Sequence, residues 1–319
     1  MNDKLTLAAV ITAELSGKRL DQALATVFPE HSRSRLQQWI KNGAVFVNDR
    51  LLRQRDPVHA GDCITITTES AVASPCCAEA IPLQILYADG EVIVLNKPAG
   101  MVVHPGAGNR EHTLLNALLH YDPVLGRLPR AGIVHRLDKD TTGIMVVARN
   151  AESHTYLVKQ LQARCIKREY LALVAGVMTA GGKVENPIGR HPVHRTRMAV
   201  SGRGKPAVTH FQVIKKYPAH TLVRVQLETG RTHQIRVHMA SIHHPVVGDP
   251  AYGGRGQLPR NASDAVRHAL QKFRRQALHA CALGLTHRLT GHACYWEAPL
   301  PDDFRSLLQL LDNEKQKHP

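Results

Sequence analysis

His135-Arg136-Leu137-Asp138-Lys139-Asp140-Thr141-Thr142-Gly143, running straight into Ile144-Met145-Val146-Val147-Ala148, is the segment on which the reading of this chain turns. The apolar run has the length and β-branched content of a buried strand and begins beside a glycine. The residues before it form a small acidic island in a basic chain. Over 319 residues, 41 Lys+Arg stand against 26 Asp+Glu, a formal charge of +15. An excess of that size points to a polyanionic partner, nucleic acid or an acidic membrane surface. A carboxylate placed where a polyanion binds repels its own ligand, so Asp138 and Asp140 need a reason to be there. Taken alone, the island fits an ordinary loop in which one aspartate caps a turn. It echoes the kinase H-R-D loop, but Leu137 intervenes and no D-F-G, A-P-E or upstream glycine loop accompanies it. Gly106-Ala107-Gly108 has no phosphate-loop continuation and reads as a turn.

Outward from the island, strands and helices alternate irregularly. Residues 84–87, 92–95, 143–149 and 170–174 read as strands, and 113–120 and 151–163 as helices. That mixture predicts an α+β fold with a mixed, largely antiparallel sheet and flanking helices rather than a wound parallel sheet. Between Lys183 and Arg260 the chain carries 13 Lys+Arg and only Glu185, Glu228 and Asp249, a net +10. Gly202, Gly204, Pro206 and Gly230 break this stretch into loops, which suit the backbone of an irregular RNA better than a duplex groove.

Hydrophobic residues make up 43% of the chain, which excludes wholesale disorder. The apolar run near the N-terminus, Leu5 to Ile11, is too short to span a bilayer, and Thr12-Ala13-Glu14-Leu15 after it reads as the end of an edge strand. A soluble, untargeted, cytoplasmic monomer is expected. The six cysteines are irregularly spaced without a C-x-x-C pair, and reduced thiols are expected. His191/His194 and His243/His244 have no H-E-x-x-H or carboxylate company, so no metal is expected.

The first part of the chain has its own punctuation. Leu20, Ala23, Leu24 and Val27 recur at helical spacing up to Pro29. Ser32 offers an N-cap for a second helix, 33–41, which stops at Asn42-Gly43. Residues 44–47 turn at Asn48-Asp49, and 63–67 read as another strand. The pattern R-L-D-x-x-L-A, S-R-S-R, I-x-x-G-x-V-x-V-N and G-D-x-I resembles the S4 RNA-binding domain. The resemblance implies a compact unit over 16–68 whose Lys18, Arg19, Arg33, Arg35 and Lys41 face RNA. Residues 69–80 then read as a linker, 81–310 as the main domain and 311–319 as a frayed tail.

The island has companions. His135-Arg136-Leu137-Asp138 with Thr142-Gly143 resembles the signature of the RluA family of pseudouridine synthases. Leu95-Asn96-Lys97-Pro98 through Val103-His104-Pro105-Gly106, then Arg168-Glu169-Tyr170, then Leu227 to His238 (L-E-T-G-R-T-H-Q-I-R-V-H), supply that family's other motifs in order. Relatives often carry lysine where Arg168 stands, and arginine keeps the charge. Arg190-His191-Pro192 and His244-Pro245 followed by Val247-Gly248-Asp249-Pro250 fit the members that act on large-subunit RNA.

The resemblance implies a cofactor-free isomerase that converts uridine to pseudouridine in 23S ribosomal RNA, in the helix 69 stem-loop. Breaking an N-glycosidic bond, turning the base and rejoining it through carbon five gains and loses no atom. The catalytic set it implies is Asp138 as nucleophile, Arg236 as its partner on a neighbouring strand, and Tyr170 against the uracil. An arginine in contact lowers an aspartate's pKa by about 1–3 units and keeps it ionised. Arg136 is implied to fill the gap left by the flipped nucleotide, with His135, Arg231 and His233 toward RNA, and Lys97 and Pro98 supporting the pocket floor. Attack at ribose carbon one and addition to uracil carbon six both fit these residues. Two other functions share part of this pattern: a non-catalytic RNA-binding or ribosome-assembly factor of the same fold, and a synthase acting on transfer RNA or another ribosomal site. The intact Asp138, Tyr170 and Arg236 set argues against the first.

Overall fold

The computed structural model describes residues 4–29, 31, 33–69, 77–106, 108–253 and 262–317, and the chain divides into two compact units at Pro75/Cys76. In the first unit lie β1 (Lys4–Val10), α1 (Leu20–Val27), α2 (Arg33–Lys41), β2 (Val45–Val47), β3 (Arg50–Leu51) and β4 (Cys63–Glu69). The strands form one sheet in the order β1-β4-β2-β3. Leu20, Ala23 and Leu24 of α1 and Leu36 and Ile40 of α2 meet Val45, Val47, Ile64 and Ile66 in a single core, the helical stripe against the alternate residues of the strands. Asn48 and Asp49 both take positive φ (48° and 62°), the two-residue turn that suits hairpin twist, and so join β2 to β3. The edge-strand expectation for residues 12–15 is corrected. The strand ends at Val10, and Ala13–Leu15 form a 3-10 turn that buries Ile11 and Leu15 together. Ser32, the expected N-cap, lies outside the described residues.

The second unit contains β5 (Gln84–Ala88), β6 (Val92–Lys97), α3 (Leu114–Tyr121), β7 (Thr142–Ala148), α4 (Ala151–Gln162), β8 (Lys167–Ala175) and β9 (Gly182–Glu185). It continues with β10 (Ile188–Arg190), β11 (Met198–Val200), β12 (Val208–Lys216), β13 (His220–Leu227), α5 (Gln234–Ser241), α6 (Asp264–Lys272), β14 (Leu278–Thr286), β15 (Ala293–Glu297) and α7 (Asp302–Lys317). One sheet runs β5-β6-β7-β14-β8-β13-β12-β9, with β15 also on β14, while β10 and β11 pair separately. Among the described strands of this sheet only β7 and β14 pair in parallel, and the others pair antiparallel. The expected α+β fold with a mixed, largely antiparallel sheet is the fold observed. Helices α3 and α4 open on reciprocal side-chain caps, Thr113 with Asn116 and Asn150 with Ser153.

The parallel seam fixes where the loop before β7 enters the sheet. All seven residues of β7 are buried, and Thr142 and Gly143 pair with His279 and Ala280. Gly143 has φ +118°, and a Cβ there would lie 2.2 Å from the Ala280 carbonyl oxygen, so only glycine lets the strands meet. The frayed tail is also corrected. Helix α7 continues to Lys317, because Phe304, Leu307, Leu308 and Leu311 extend an apolar face into the core and Glu314 is buried beyond them, accepting from the Ser263 N–H. No described helix is long and apolar enough to cross a membrane. The five described cysteines are unpaired thiols.

Candidate active site

Asp138 sits on the loop entering β7, and Lys97 at the end of β6 holds that loop from behind. The Lys97 side chain is fully buried and its Nζ donates to the carbonyls of Pro98 (2.7 Å), Met101 (2.9 Å) and Lys139 (2.9 Å). Burial draws its pKa down to about 7, against the opposing charges of Asp140 and Asp138. Lys97 therefore stitches two loops together behind the pocket wall. The Pro98 ring is exposed, and what Pro98 contributes is its carbonyl.

Arg236 reaches Asp138 from α5, not from a strand. Its Nη1 donates to Asp138 Oδ2 at 2.9 Å, while Nε and Nη2 grip Asp249 at 2.6 and 2.9 Å. The alternation Gln234-Ile235-Arg236-Val237-His238 suggests a half-exposed strand, but residues 234–239 are all buried, so it reports no exposed face. The turn before α5 sets the helix going. Gln234 Oε1 accepts from the Arg231 N–H and the Thr229 hydroxyl, and its Nε2 donates to Val208 and Thr209. Burial opposes the Arg236 charge, but the hydrogen bonds and charges of Asp249 and Asp138 outweigh it and raise its pKa.

His233 caps α5 in the left-handed region (φ +57°). Its Nδ1 lies 2.7 Å from the Tyr252 hydroxyl, which itself accepts from the Met198 N–H, so the tyrosine proton points at Nδ1. Burial lowers the pKa of His233, with Asp138 opposing, and the neutral ring keeps its proton on Nε2, 3.9 Å from Asp138 Oδ1. The Tyr252 ring lies against the Arg236 guanidinium, 5.1 Å from its centroid.

A cavity of about 620 Å³ opens in front of Asp138, within the size range of small-ligand sites. Tyr170, Arg168, Arg231, Ile235 and Leu278 line it, and the buried Tyr170 phenol has its pKa raised by burial, with Arg168 lowering and Asp138 adding to the shift. A smaller cavity of about 370 Å³, toward Pro105 and Asn109, shares Asp138, Arg136, His233 and Arg236 with it. Arg136 is exposed at the junction of the two, and among the described residues no carboxylate pairs with it. Arg231 lines the larger cavity and donates from Nε to the Pro206 carbonyl. His135 does not present a cation to RNA. Its Nε2 accepts from the Val146 N–H at 3.0 Å, and burial, aided by Arg168, takes its pKa to about 3.

In the first unit, Arg19 and Arg33 converge on one buried carboxylate, Asp21, with Gln37 completing the set. Burial raises the Asp21 pKa, but the hydrogen bonds of Arg33, Gln37 and Arg19 outweigh it and leave it at about 2. Both arginines stay about half exposed, so the carboxylate orders them without removing them from the surface. Lys18 and Lys41 are exposed, and the side chain of Arg35 lies outside the described residues. Among the described residues no group of three His, Cys, Asp or Glu is placed to hold a metal.

The structure brings the candidate residues Asp138, Arg236, Tyr170, Arg136, Arg231 and His233 to one cavity wall. No sequence motif assigned a role to Asp249, Tyr252 or Gln234. The signal for Asp249 was its scarcity, one of three acids in the most basic stretch of the chain.

Residues 91–241 match the RNA pseudouridylate synthase family, and residues 18–64 match the S4 domain. Human RNA pseudouridylate synthase domain containing 4 shares the fold at a TM-score of 0.57 and 27% identity, over 72% of this chain and 93% of that one. The chain belongs to the RNA pseudouridine synthases, as a member whose S4 match precedes the synthase match in the sequence. It is 53% identical to ribosomal large subunit pseudouridine synthase D of Pseudomonas aeruginosa, over 99% of each chain. It is 50% identical to the protein of that name from Escherichia coli (strain K12), over 100% of this chain and 98% of that one.

Proposed function

We propose that this enzyme, a cytoplasmic monomer, isomerises uridine to pseudouridine in 23S ribosomal RNA, in the stem-loop of helix 69. The observation that carries the reading is the Asp138–Arg236 contact. One carboxylate oxygen is held at 2.9 Å by a buried guanidinium, and Asp138 lines a cavity large enough for a nucleoside. That arrangement supports a nucleophile at ribose carbon one, in the manner of a carboxylate at a glycosidic centre. Near-full-length identity to large-subunit synthases supports the RNA.

Asp138 attacks carbon one as the bond to N1 breaks and the uracil departs with the electron pair. The base turns, carbon five closes on carbon one, and Asp138 leaves as the carboxylate. The carbon-five proton then passes to the Tyr170 hydroxyl in the wall as that hydroxyl hands its own proton on toward N1, so the ring ends neutral. Arg136, exposed between the two cavities, takes the place of the extruded nucleotide and offsets an unstacking cost of a few kcal/mol. The ordered Arg19 and Arg33, with Lys18 and Lys41, hold the RNA backbone.

The test is Asp138→Asn, with pseudouridines mapped by chemical labelling in ribosomal RNA from cells carrying the intact gene, the variant or a deletion. The variant is expected to bind RNA with unchanged affinity and to leave the helix 69 uridines unconverted, as the deletion does. Conversion by the variant removes Asp138 from its role. An unchanged helix 69 in the deletion strain removes that substrate.

A further inference from the structure

Arg168 and Tyr170 are two positions apart on β8, so their side chains leave the strand on the same face, and both line the 620 Å³ cavity. The surroundings of Arg168 differ from those of Arg236. Arg236 is neutralised by two aspartates. Among the described residues no carboxylate pairs with Arg168. Its Nη2 reaches the Glu228 carbonyl at 3.4 Å, a long contact, and its Nε is buried with no acceptor. The Glu228 carboxylate is occupied by Arg164 at 3.0 Å and His210 at 2.7 Å. Gly230 leaves room for the guanidinium, since a Cβ there would come within 2.8 Å of Nη1. The other arginines along this wall without a carboxylate are Arg130 and Arg136, which are exposed, and the half-buried Arg231, whose Nε already donates to the Pro206 carbonyl. A guanidinium held in a wall with an unfilled donor and no counter-ion is costly to fold unless a ligand brings the negative charge.

The reaction creates such a charge at a definite moment. When the bond from carbon one to N1 breaks, its electron pair goes to the uracil, which becomes an anion shared among N1 and its carbonyl oxygens. At the same step Asp138 becomes a neutral ester. The negative charge thus leaves the oxygen beside Arg236 and appears on the base.

We propose that Arg168 is a catalytic residue that receives this charge, donating to a uracil carbonyl oxygen and stabilising the departing base until carbon five closes on carbon one. This rests on the reading of Asp138 as the nucleophile at carbon one. The interaction strengthens as the bond breaks and relaxes when the neutral ring is restored, so it acts on the transition state rather than on substrate binding.

Leaving-group chemistry tests it. A helix 69 stem-loop RNA is made with uridine or 5-fluorouridine at the target, and single-turnover consumption of the nucleoside is measured for the full-length wild type, Arg168→Gln and Arg168→Lys. Fluorine at carbon five makes the uracil anion easier to form, so a variant lacking the stabilising charge loses less on that substrate. Arg168→Gln is expected to slow uridine consumption by about 100-fold, with at least about tenfold of the loss recovered on 5-fluorouridine. Arg168→Lys, which keeps the charge and loses the fork, falls between. An equal loss on both substrates overturns the proposal, as does a loss confined to RNA affinity with the single-turnover rate unchanged. If Arg168→Gln melts with an abnormal transition, the fluorine ratio for Arg168→Lys decides on the same criterion. Turnover by Asp138→Asn sinks the nucleophile assignment separately, since the fluorine ratio is read in enzymes that retain Asp138.

Discussion

Asp249 is the residue whose removal most directly tests the electrostatic frame of the site. Its side chain is fully buried, both oxygens hold Arg236, and Oδ1 also accepts from the Ala251 N–H at 2.8 Å. In Asp249→Ala the buried guanidinium keeps one carboxylate in place of two. Removing one partner of a buried ion pair costs about 3–5 kcal/mol. For a unit the size of residues 76–319, each kcal/mol moves the midpoint by about 2–4 °C, so the unfolding temperature should fall by about 6–20 °C. The chemistry should fall further than the stability. Freed from Asp249, Arg236 can turn its fork onto both oxygens of Asp138 and draw the carboxylate away from the cavity it lines. Thermal unfolding and single-turnover conversion, the latter measured well below the variant's transition, separate the two effects. Asp249→Asn, which keeps the shape and one acceptor, should lie between wild type and alanine in both. A midpoint within about 2 °C of wild type in Asp249→Ala, with a rate within about threefold, would refute the argument that Asp249 balances and aims Arg236.

Lys97→Met removes the donor from three carbonyls at about 1–3 kcal/mol for each group left unsatisfied, and should lower both melting temperature and conversion while RNA affinity holds; wild-type conversion in the variant would contradict the bracing role. Asp21 has a folded pKa of about 2 against 3.8 for the free group, so its contribution is complete above about pH 4 and is lost as pH falls toward 2. Discounted for its half-exposed arginine partners, that amounts to about 1–2 kcal/mol. Trp39 fluorescence in a Trp296→Phe background should show acid loosening of the first unit in that window, and Asp21→Asn should flatten it; identical acid limbs would rule the effect out. Gly143→Ala combines a strained φ of +118° with a Cβ 2.2 Å from the Ala280 carbonyl oxygen, and should lower the melting temperature by more than the strain of about 1–3 kcal/mol alone implies. A wild-type melt for that variant would mean the β7–β14 seam can open.

Much of the fold was legible because periodicity and punctuation agree. The apolar spacing of Leu20, Ala23, Leu24 and Val27 marked α1, and the unbroken run Ile144 to Ala148 marked β7. Arg236 was misplaced onto a strand for the converse reason, since a helix buried on every side shows no helical stripe and Ile235 and Val237 mimic alternation. The polar run Asn313 to Lys317 gave no hint of the α7 face that begins at Phe304. The site was legible through resemblance at Asp138, Arg236 and Tyr170. Roles that depend on three-dimensional partners were not. That His135 accepts a backbone hydrogen bond, or that Asp249 closes a triad from a residue 13 positions beyond Arg236, appears in no local pattern.

The seam between β7 and β14 also sets a timetable. Every sequence motif of the site lies before residue 251, yet the strand wedged between β7 and β8 begins only at Leu278. A nascent chain that has already exposed Asp138, Tyr170, Arg236 and Asp249 still lacks the slat between them. At about 5–20 residues per second, synthesis leaves that gap open for seconds. A frameshift or stop ahead of Leu278 would spare every signature of the family and leave a protein unable to assemble the reaction chamber.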